Sequence, residues 1–163
     1  MKIMNKLQNR KEELRKNNKG FSLVELIIVI AIMAILVGIV GTQVVPYIEK
    51  SRKAKDIQQI SGLCTDAMTA YSSNAATLDS GLTYTITINS SGVSASDGTN
   101  TNDTLANSFK ELNNVTKVSD VKFESKEGKK ITAVTITCKS AKPMITVEVT
   151  GPTKADEFKV TSN

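Results

Sequence analysis

An uninterrupted apolar run near the N-terminus constrains this chain more than any other feature. From Leu26 to Val45 there are 20 consecutive uncharged residues, most of them Ile, Val or Leu. A helix of about 20 such residues is long enough to cross the hydrocarbon core of a bilayer. A removable secretory signal has a shorter apolar region of about 7–15 residues, followed by a small-residue cleavage site. We therefore predict a membrane-spanning helix over residues 21–45 that is not removed.

The positive charge of the chain is concentrated ahead of this run. Residues 1–20 carry seven basic and two acidic side chains, which accounts for the whole formal net charge of +5. Residues 21–163 carry 14 side chains of each sign, so no basic patch predicts binding to a specific nucleic acid. Because more Lys and Arg precede the run than closely follow it, the positive-inside rule places the N-terminus in the cytoplasm. The same rule places residues beyond about Pro46 outside.

Composition excludes several classes of catalytic and metal site. The 163-residue chain contains no His, which is the commonest general base and metal ligand. Ser-His-Asp, Cys-His and His-metal sites are therefore excluded, and two cysteines cannot build a four-Cys zinc site. No motif of converging carboxylates marks a catalytic cleft. We predict a protein that is not an enzyme and that uses no cofactor or metal.

Helical periodicity continues beyond the apolar run. Apolar residues recur at steps of three and four, with polar residues between them: Ile57, Ile60, Cys64, Ala67 and Tyr71, against Asp56, Gln59, Asp66 and Thr69. This pattern predicts an amphipathic helix over residues 46–74 with one buried stripe, outside which the polar residues lie. Pro46, Gly38 and Gly41 are predicted points of bending or local melting, since proline removes a backbone donor.

After residue 80 the apolar residues alternate with polar ones, which is the period of a β-strand. Between the first strand and the others, a polar loop over 90–103 leads into a short helix with Asp103 or Thr104 as its cap. Turn signals at 127–128 and 142–143 predict that the last three strands form a meander. The predicted strands are Leu82–Ile88, Val121–Glu124, Val134–Cys138 and Ile145–Val149. The apolar residues on one side of the short helix are Leu105, Phe109 and Leu112.

These elements predict an α+β fold. A long N-terminal helix, transmembrane in its first half, packs its outer half against an antiparallel sheet. The apolar stripe of the amphipathic helix and the apolar face of the sheet must each be shielded from water, and they can do so by packing against each other. The chain then divides into a basic leader at 1–20, a transmembrane helix at 21–45 and an exported globular domain at 46–163.

Glu25 is the one charged residue between Lys19 and Glu49. A charge at mid-membrane costs about 2.5–3.5 kcal/mol on insertion scales, and less near one end of the span. A cut between Gly20 and Phe21 would create a free ammonium four residues before Glu25, a spacing that puts both groups on one helix face. Glu25 could pair with this ammonium in its own chain or in a neighbouring one. A pair between chains would couple a desolvated charge to subunit register.

The sequence from Lys19 to Leu26, followed by Ile- and Val-rich residues, resembles the class III signal of a type IV prepilin. The matching features are Gly20 before the cut, Phe21 after it, Glu25 fifth in the mature chain, and then an unbroken apolar helix. The local resemblance covers about residues 16–45. The basic leader, the long helix and the Thr-rich sheet domain extend it in general form, so the resemblance implies a pilin-like fold.

The resemblance also implies a life cycle. Prepilin peptidase would remove residues 1–20 on the cytoplasmic side and N-methylate Phe21. The single-span subunit would wait in membrane lipid until an ATPase and an assembly platform extract it into a fibre of pilin subunits. Glu25 would pair with Phe21 of an adjacent subunit during assembly. The expected function is a structural subunit of a type IV pilus, a cell-surface fimbrium, serving attachment, twitching motility or biofilm formation.

Two other functions remain open. A pseudopilin of a type II secretion or DNA-uptake (competence) system shares the signal and the long helix but forms a short pseudopilus. A calcium loop would favour the secretion pseudopilin, but the acidic segment 97–103 lacks the terminal Glu of such a loop and is predicted to form Asx turns. A membrane-anchored adhesin that never polymerises would keep its leader and would not depend on Glu25.

Some features depart from the family's usual pattern or have two interpretations. Many members have a helix-bending proline near the position of Thr42, whereas here it is Pro46, and many bridge two cysteines near the C-terminus. Here Cys64 lies on the predicted helix and Cys138 on a predicted strand, and they form either a helix-to-sheet disulfide or two buried thiols.

A basic group after the span is predicted to contact lipid headgroups or to face solvent: Lys50, Arg52, Lys53 and Lys55.

Overall fold

The computed structural model describes Met4 and residues 20–162, so all of the predicted leader except Met4 and Gly20 lies outside the described residues. The helices are α1 (Leu23–Ile39), α2 (Val45–Ser73) and α3 (Asp103–Asn113), with a π-helical turn at Val40–Val44. The strands are β1 (Tyr84–Ile88), β2 (Val93–Ser96), β3 (Ala133–Cys138), β4 (Ile145–Thr150) and β5 (Val160–Ser162). Short 3₁₀ helices cover Val118–Asp120, Gly128–Lys130 and Ala155–Phe158. The described residues divide into two compact units between Val45 and Pro46.

In the first unit, α1 is apolar on all sides and none of its residues is buried. A π-helical turn follows it and contains Gly41, one of the predicted points of bending or melting, whereas Pro46 lies within regular α-helix. Within the turn, the Thr42 hydroxyl donates to the carbonyl oxygens of Gly38 at 3.2 Å and Ile39 at 3.3 Å. Ser and Thr hydroxyls that bond back to a preceding turn compete with the backbone ladder and often bend helices.

The second unit is built on a five-stranded antiparallel sheet in the order β2-β1-β3-β4-β5. The register pairs Ile86 with Ile136, and Ile136 with Val147, so equivalent apolar positions of the three central strands line up. Alternate residues of these strands are buried while the intervening ones, largely Thr, are more exposed. Helix α2 contributes its apolar stripe to the same core, in which the rings of Tyr71 and Tyr84 lie 6.0 Å apart. The predicted α+β architecture is therefore confirmed.

The predicted strand at 121–124 is wrong, and two short strands were not predicted. Residues 121–124 alternate in polarity, but side chains of α2 rather than a neighbouring strand bind their backbone. The meander of the last three strands consequently consists of β3, β4 and β5. Strand β2 lies inside the segment predicted as a polar loop. Its buried residues, Val93 and Ala95, alternate with serines, which give little signal for a strand, so the strand was missed. Strand β5 has only three residues, which is too short for an alternating pattern to show.

Helix α3 forms as predicted, but its cap and one of its buried residues differ. The N-cap is Asn102, whose side-chain oxygen accepts the N–H of Leu105 at 2.9 Å, rather than Asp103 or Thr104. Leu105 and Phe109 are fully buried, whereas Leu112 is 48% exposed.

Asp56 is the clearest error of the helical pattern. It was predicted outside the buried stripe, yet it is completely buried. Its carboxylate accepts the backbone N–H groups of Glu124 at 2.7 Å and Ser125 at 3.0 Å, and also the Ser125 hydroxyl. These donors replace the water that a buried carboxylate loses, and they come from a segment almost 70 residues away along the chain.

Candidate processing and assembly site

The bond predicted to be cut lies in exposed, non-helical backbone. Gly20 and Phe21 are both exposed, and the Phe21 side chain is 88% exposed. Helix α1 begins two residues after Phe21, at Leu23, and its N-cap Ser22 has an extended conformation with φ −68° and ψ 141°. The Gly20–Phe21 peptide is therefore outside the helical hydrogen-bond ladder and is exposed among the described residues.

Ser22 and Glu25 form a capping box at this helix N-terminus. The Ser22 N–H donates to Glu25 Oε2 at 2.8 Å, and the Val24 N–H donates to Ser22 Oγ at 3.3 Å. Such a box satisfies N–H groups that have no partner within the first turn. A carboxylate is also favoured at this end of a helix by the macrodipole. Glu25 thus has a hydrogen-bond partner in its own chain, at the end of an apolar span.

Ser22 was not among the predicted site residues, although the sequence contains a signal for it. Ser22 and Glu25 stand in the S-x-x-E spacing of a capping box, directly before an apolar run. The predicted partner of Glu25 was instead the ammonium that cleavage would create on Phe21. In the uncut chain this nitrogen belongs to the peptide bond after Gly20, so the pairing of Glu25 with Phe21 stays a prediction.

The helix surface behind this site is apolar and uncovered. Among the described residues, one helix is long and apolar enough to cross a membrane, and its most apolar stretch has no buried residue. The large apolar side chains of α1 are at least half exposed, such as Leu26 at 59%, Ile30 at 59% and Ile35 at 64%. Exposed apolar surface of this extent marks a membrane or protein interaction surface.

The two cysteines are free thiols buried in the core of the second unit. Burial raises the pKa of the Cys64 thiol. Burial, together with the nearby Cys64, raises the pKa of Cys138 to about 12. Both thiols are therefore protonated and shielded, which is the environment of a structural rather than a reactive cysteine. Of the two predicted states, this structure contains the pair of buried thiols.

The acidic segment that was compared with a calcium loop forms the predicted Asx turn. Asp97 Oδ1 accepts the backbone N–H groups of Asn100 at 2.6 Å and Thr99 at 2.9 Å. These two N–H groups hold the pKa of the Asp97 carboxyl below its ordinary value. The carboxylate is thus used to close its own turn, as Asp side chains commonly do.

A family model described as the prokaryotic N-terminal methylation motif matches residues 15–41. This range contains Gly20, Phe21, Glu25 and most of the apolar helix, so the match confirms the signal that the sequence predicted. No curated protein and no solved structure matches the chain with significance.

Proposed function

We propose that this type IV pilin-like prepilin is a structural subunit of a type IV pilus. Prepilin peptidase cuts between Gly20 and Phe21 and methylates the new N-terminus. The mature subunit then waits as a single-span membrane protein with its N-terminus in the cytoplasm. An assembly platform and its ATPase extract it, and copies polymerise into a helical surface fibre for attachment, motility or biofilm formation.

The observation that carries this proposal is an uncovered apolar helix placed directly behind the methylation motif. Helix α1 buries none of its residues against the part of the chain that the structure describes, so its apolar surface needs lipid or other protein. The span can leave lipid only for a comparably apolar site, which the packed helices of a fibre supply. Head-to-tail contacts between copies that do not close on themselves generate helical filaments.

The capping box supports a role for Glu25 in assembly. After the cut, the Phe21 ammonium would stand next to the Ser22 N–H that Glu25 already accepts. Glu25 is therefore held at the end of the helix where the new positive charge appears. In the proposed fibre it pairs with Phe21 of an adjacent subunit, which fixes the axial register of neighbouring helices.

Intact mass and N-terminal sequencing of the surface-sheared fraction test the proposal. The expected product begins at methylated Phe21 and lacks residues 1–20. A sheared product that still carries its leader would contradict the proposal and would favour an anchored adhesin that never polymerises.

Electron microscopy with an antibody against the second unit separates the pilus from the pseudopilus. Long surface fibres labelled along their length are expected at natural expression levels. A correctly processed chain without long fibres would assign the subunit to the pseudopilus of a secretion or DNA-uptake system.

A further inference from the structure

Residues 122–130 form a segment docked along the first turns of α2. Gln59 Nε2 donates to the Lys122 carbonyl oxygen at 3.0 Å. Asp56 Oδ1 accepts the Glu124 N–H at 2.7 Å, and Glu49 Oε1 accepts the Lys126 N–H at 2.5 Å. The helix residue number falls as the segment number rises, so the docked segment descends toward the start of α2. Its lowest attachment is at Glu49, the first charged residue after the apolar run.

A buried polar cluster holds the tip of the docked segment in place. Ser125 Oγ donates to the buried Asp56 carboxylate and accepts the Gly128 N–H at 2.9 Å. A Cβ built on Gly128 would lie 2.1 Å from Asp56 Oδ2, so only glycine fits at this position. The path of the segment is therefore set by helix–segment contacts rather than by a strand ladder.

This arrangement changes which cations are free near the start of α2. Lys53 pairs with Glu157 and also lies over the Phe158 ring, while Lys55 pairs with Glu124 at 3.3 Å. Two of the four basic residues that follow the span are thus partly neutralised. The docked segment brings others to the same end of the unit. Among the exposed cations that form no ion pair with any described residue, four lie on the first turns of α2 or beside the tip of the docked segment: Lys50, Arg52, Lys126 and Lys129.

We propose that these four residues form a cationic collar that binds anionic phospholipid headgroups on the outer surface of the membrane before assembly. The proposal rests on the membrane anchoring in the proposed function, but not on fibre formation. At 1.5 Å per residue, Lys50 and Arg52 lie about 7 and 10 Å along the helix beyond Val45. A headgroup layer is roughly 5–7 Å thick on each side of the hydrocarbon core. Lys126 is at the same level because its N–H is bound by Glu49.

Charge complementarity selects the occupant of the collar. Each Lys or Arg on a surface close to an anionic membrane raises the affinity of that surface for the membrane about five-fold. The attraction falls off with distance over a Debye length, and added salt weakens it. None of the three neighbouring carboxylates pairs with a collar cation, since those of Glu49 and Asp56 face N–H groups of the docked segment and that of Glu124 pairs with Lys55. A zwitterionic surface offers no comparable net attraction.

Lysine footprinting on the full chain tests this inference. The protein is reconstituted into vesicles of phosphatidylcholine, alone or with about one-third phosphatidylglycerol, and acylated with a membrane-impermeant reagent. Acylation of Lys50, Lys126 and Lys129 is expected to slow several-fold on the anionic vesicles and to recover at high salt. Lys139 and Lys142, next to the turn between β3 and β4, serve as the internal control and should react equally on both.

Two variants with matched net charge sharpen the test. Lys126→Gln with Lys129→Gln should reduce the slowing at Lys50, because half of the collar is gone, whereas Lys139→Gln with Lys142→Gln should leave it unchanged. Gly128→Ala should reduce the slowing without removing a charge, since it displaces the tip; circular dichroism checks that each variant is folded.

Equal slowing at all lysines, or none at the collar, would overturn the inference. Slowing that occurs only in sheared fibres would assign these cations to contacts between subunits instead. The footprint reads lipid contact in vesicles, whereas the proposed pilus function is read from the mass of sheared material. Either the lipid contact or the pilus function can therefore be refuted while the other is supported.

Discussion

Helices α1 and α2 are both long and well formed, but they relate to their surroundings in opposite ways. Helix α1 has no buried residue, while α2 buries a stripe that includes Ile60, Cys64, Ala67 and Tyr71. The second unit covers this stripe with its own sheet, so its stability is contained within the chain. No described residue covers α1, so its apolar surface needs lipid or other protein to cover it. The same secondary structure therefore serves a folded domain in one region and an interaction surface in the other.

Substituting Glu25 should have the largest effect and should leave the second unit untouched. Glu25→Ala removes both the acceptor of the Ser22 N–H and the charge proposed to pair with Phe21, so we expect the loss of surface fibres with normal membrane insertion. Glu25→Gln keeps an acceptor suited to a capping box but loses the charge, and should also abolish fibres. Sheared-fibre yield and membrane fractionation measure the two outcomes. Normal fibre yield in either variant would refute the assembly role of this charge.

Matched truncations in the two units would test the contrast directly. Ile136 is fully buried in β3, and Ile136→Ala should lower the free energy of unfolding of the second unit by roughly 4 kcal/mol. Ile30 is 59% exposed on α1, and Ile30→Ala should leave that free energy within about 0.5 kcal/mol. Denaturant unfolding of the full chain in micelles, followed by near-ultraviolet circular dichroism of the tyrosines, measures both. A similar loss for Ile30→Ala would show that the units are not separate.

Substituting Asp56 tests how much its buried hydrogen bonds contribute to the free energy of unfolding of the second unit. Asp56→Ala leaves the N–H groups of Glu124 and Ser125 and the Ser125 hydroxyl without their acceptor, so we expect a loss of roughly 3 kcal/mol in unfolding free energy. Gln58→Ala, two residues away on the exposed side of α2, is the matched control and should change it by less than about 0.5 kcal/mol. Near-equal stabilities of the two variants would mean that the docked segment is held by other contacts.

The features that could be predicted from the sequence are those set by local pattern. Glycine, phenylalanine and glutamate at their spacing before an apolar run located the methylation motif, which the family match confirms. Strict alternation with Thr located β1, β3 and β4, and helical spacing located most of the buried stripe of α2. In each case the neighbouring residues alone decide which side chains share a face.

Two of the errors have a common cause, which is a partner distant in the sequence. Asp56 has the spacing of a polar residue beside the stripe, and only the arrival of Glu124 and Ser125 makes its burial possible. Val121 and Phe123 alternate like a strand, but the same contacts divert that segment onto α2. The basic residues after the span were visible in the sequence, but the approach of Lys126 to the start of α2 depends on the same docking and was not. Ser22 is different, because its capping spacing was local and was overlooked.

Alkylation of the two cysteines has the smallest expected effect. It distinguishes a pair of buried thiols from a disulfide in the second unit. Burial raises the pKa of Cys138 from 9.0 to about 12, so the folded thiol stays protonated while an unfolded one ionises as the pH rises past about 9. The folded Cys138 thiol, which is buried and has a pKa of about 12, should therefore stay almost unalkylated at both pH 8 and pH 10, whereas alkylation in denaturant should increase about ten-fold between them. Mass spectrometry of the exported protein after denaturation should find two alkylated cysteines without prior reduction. A requirement for reductant would instead reveal a disulfide between Cys64 and Cys138. The core of the second unit would then be held by a covalent link as well as by packing.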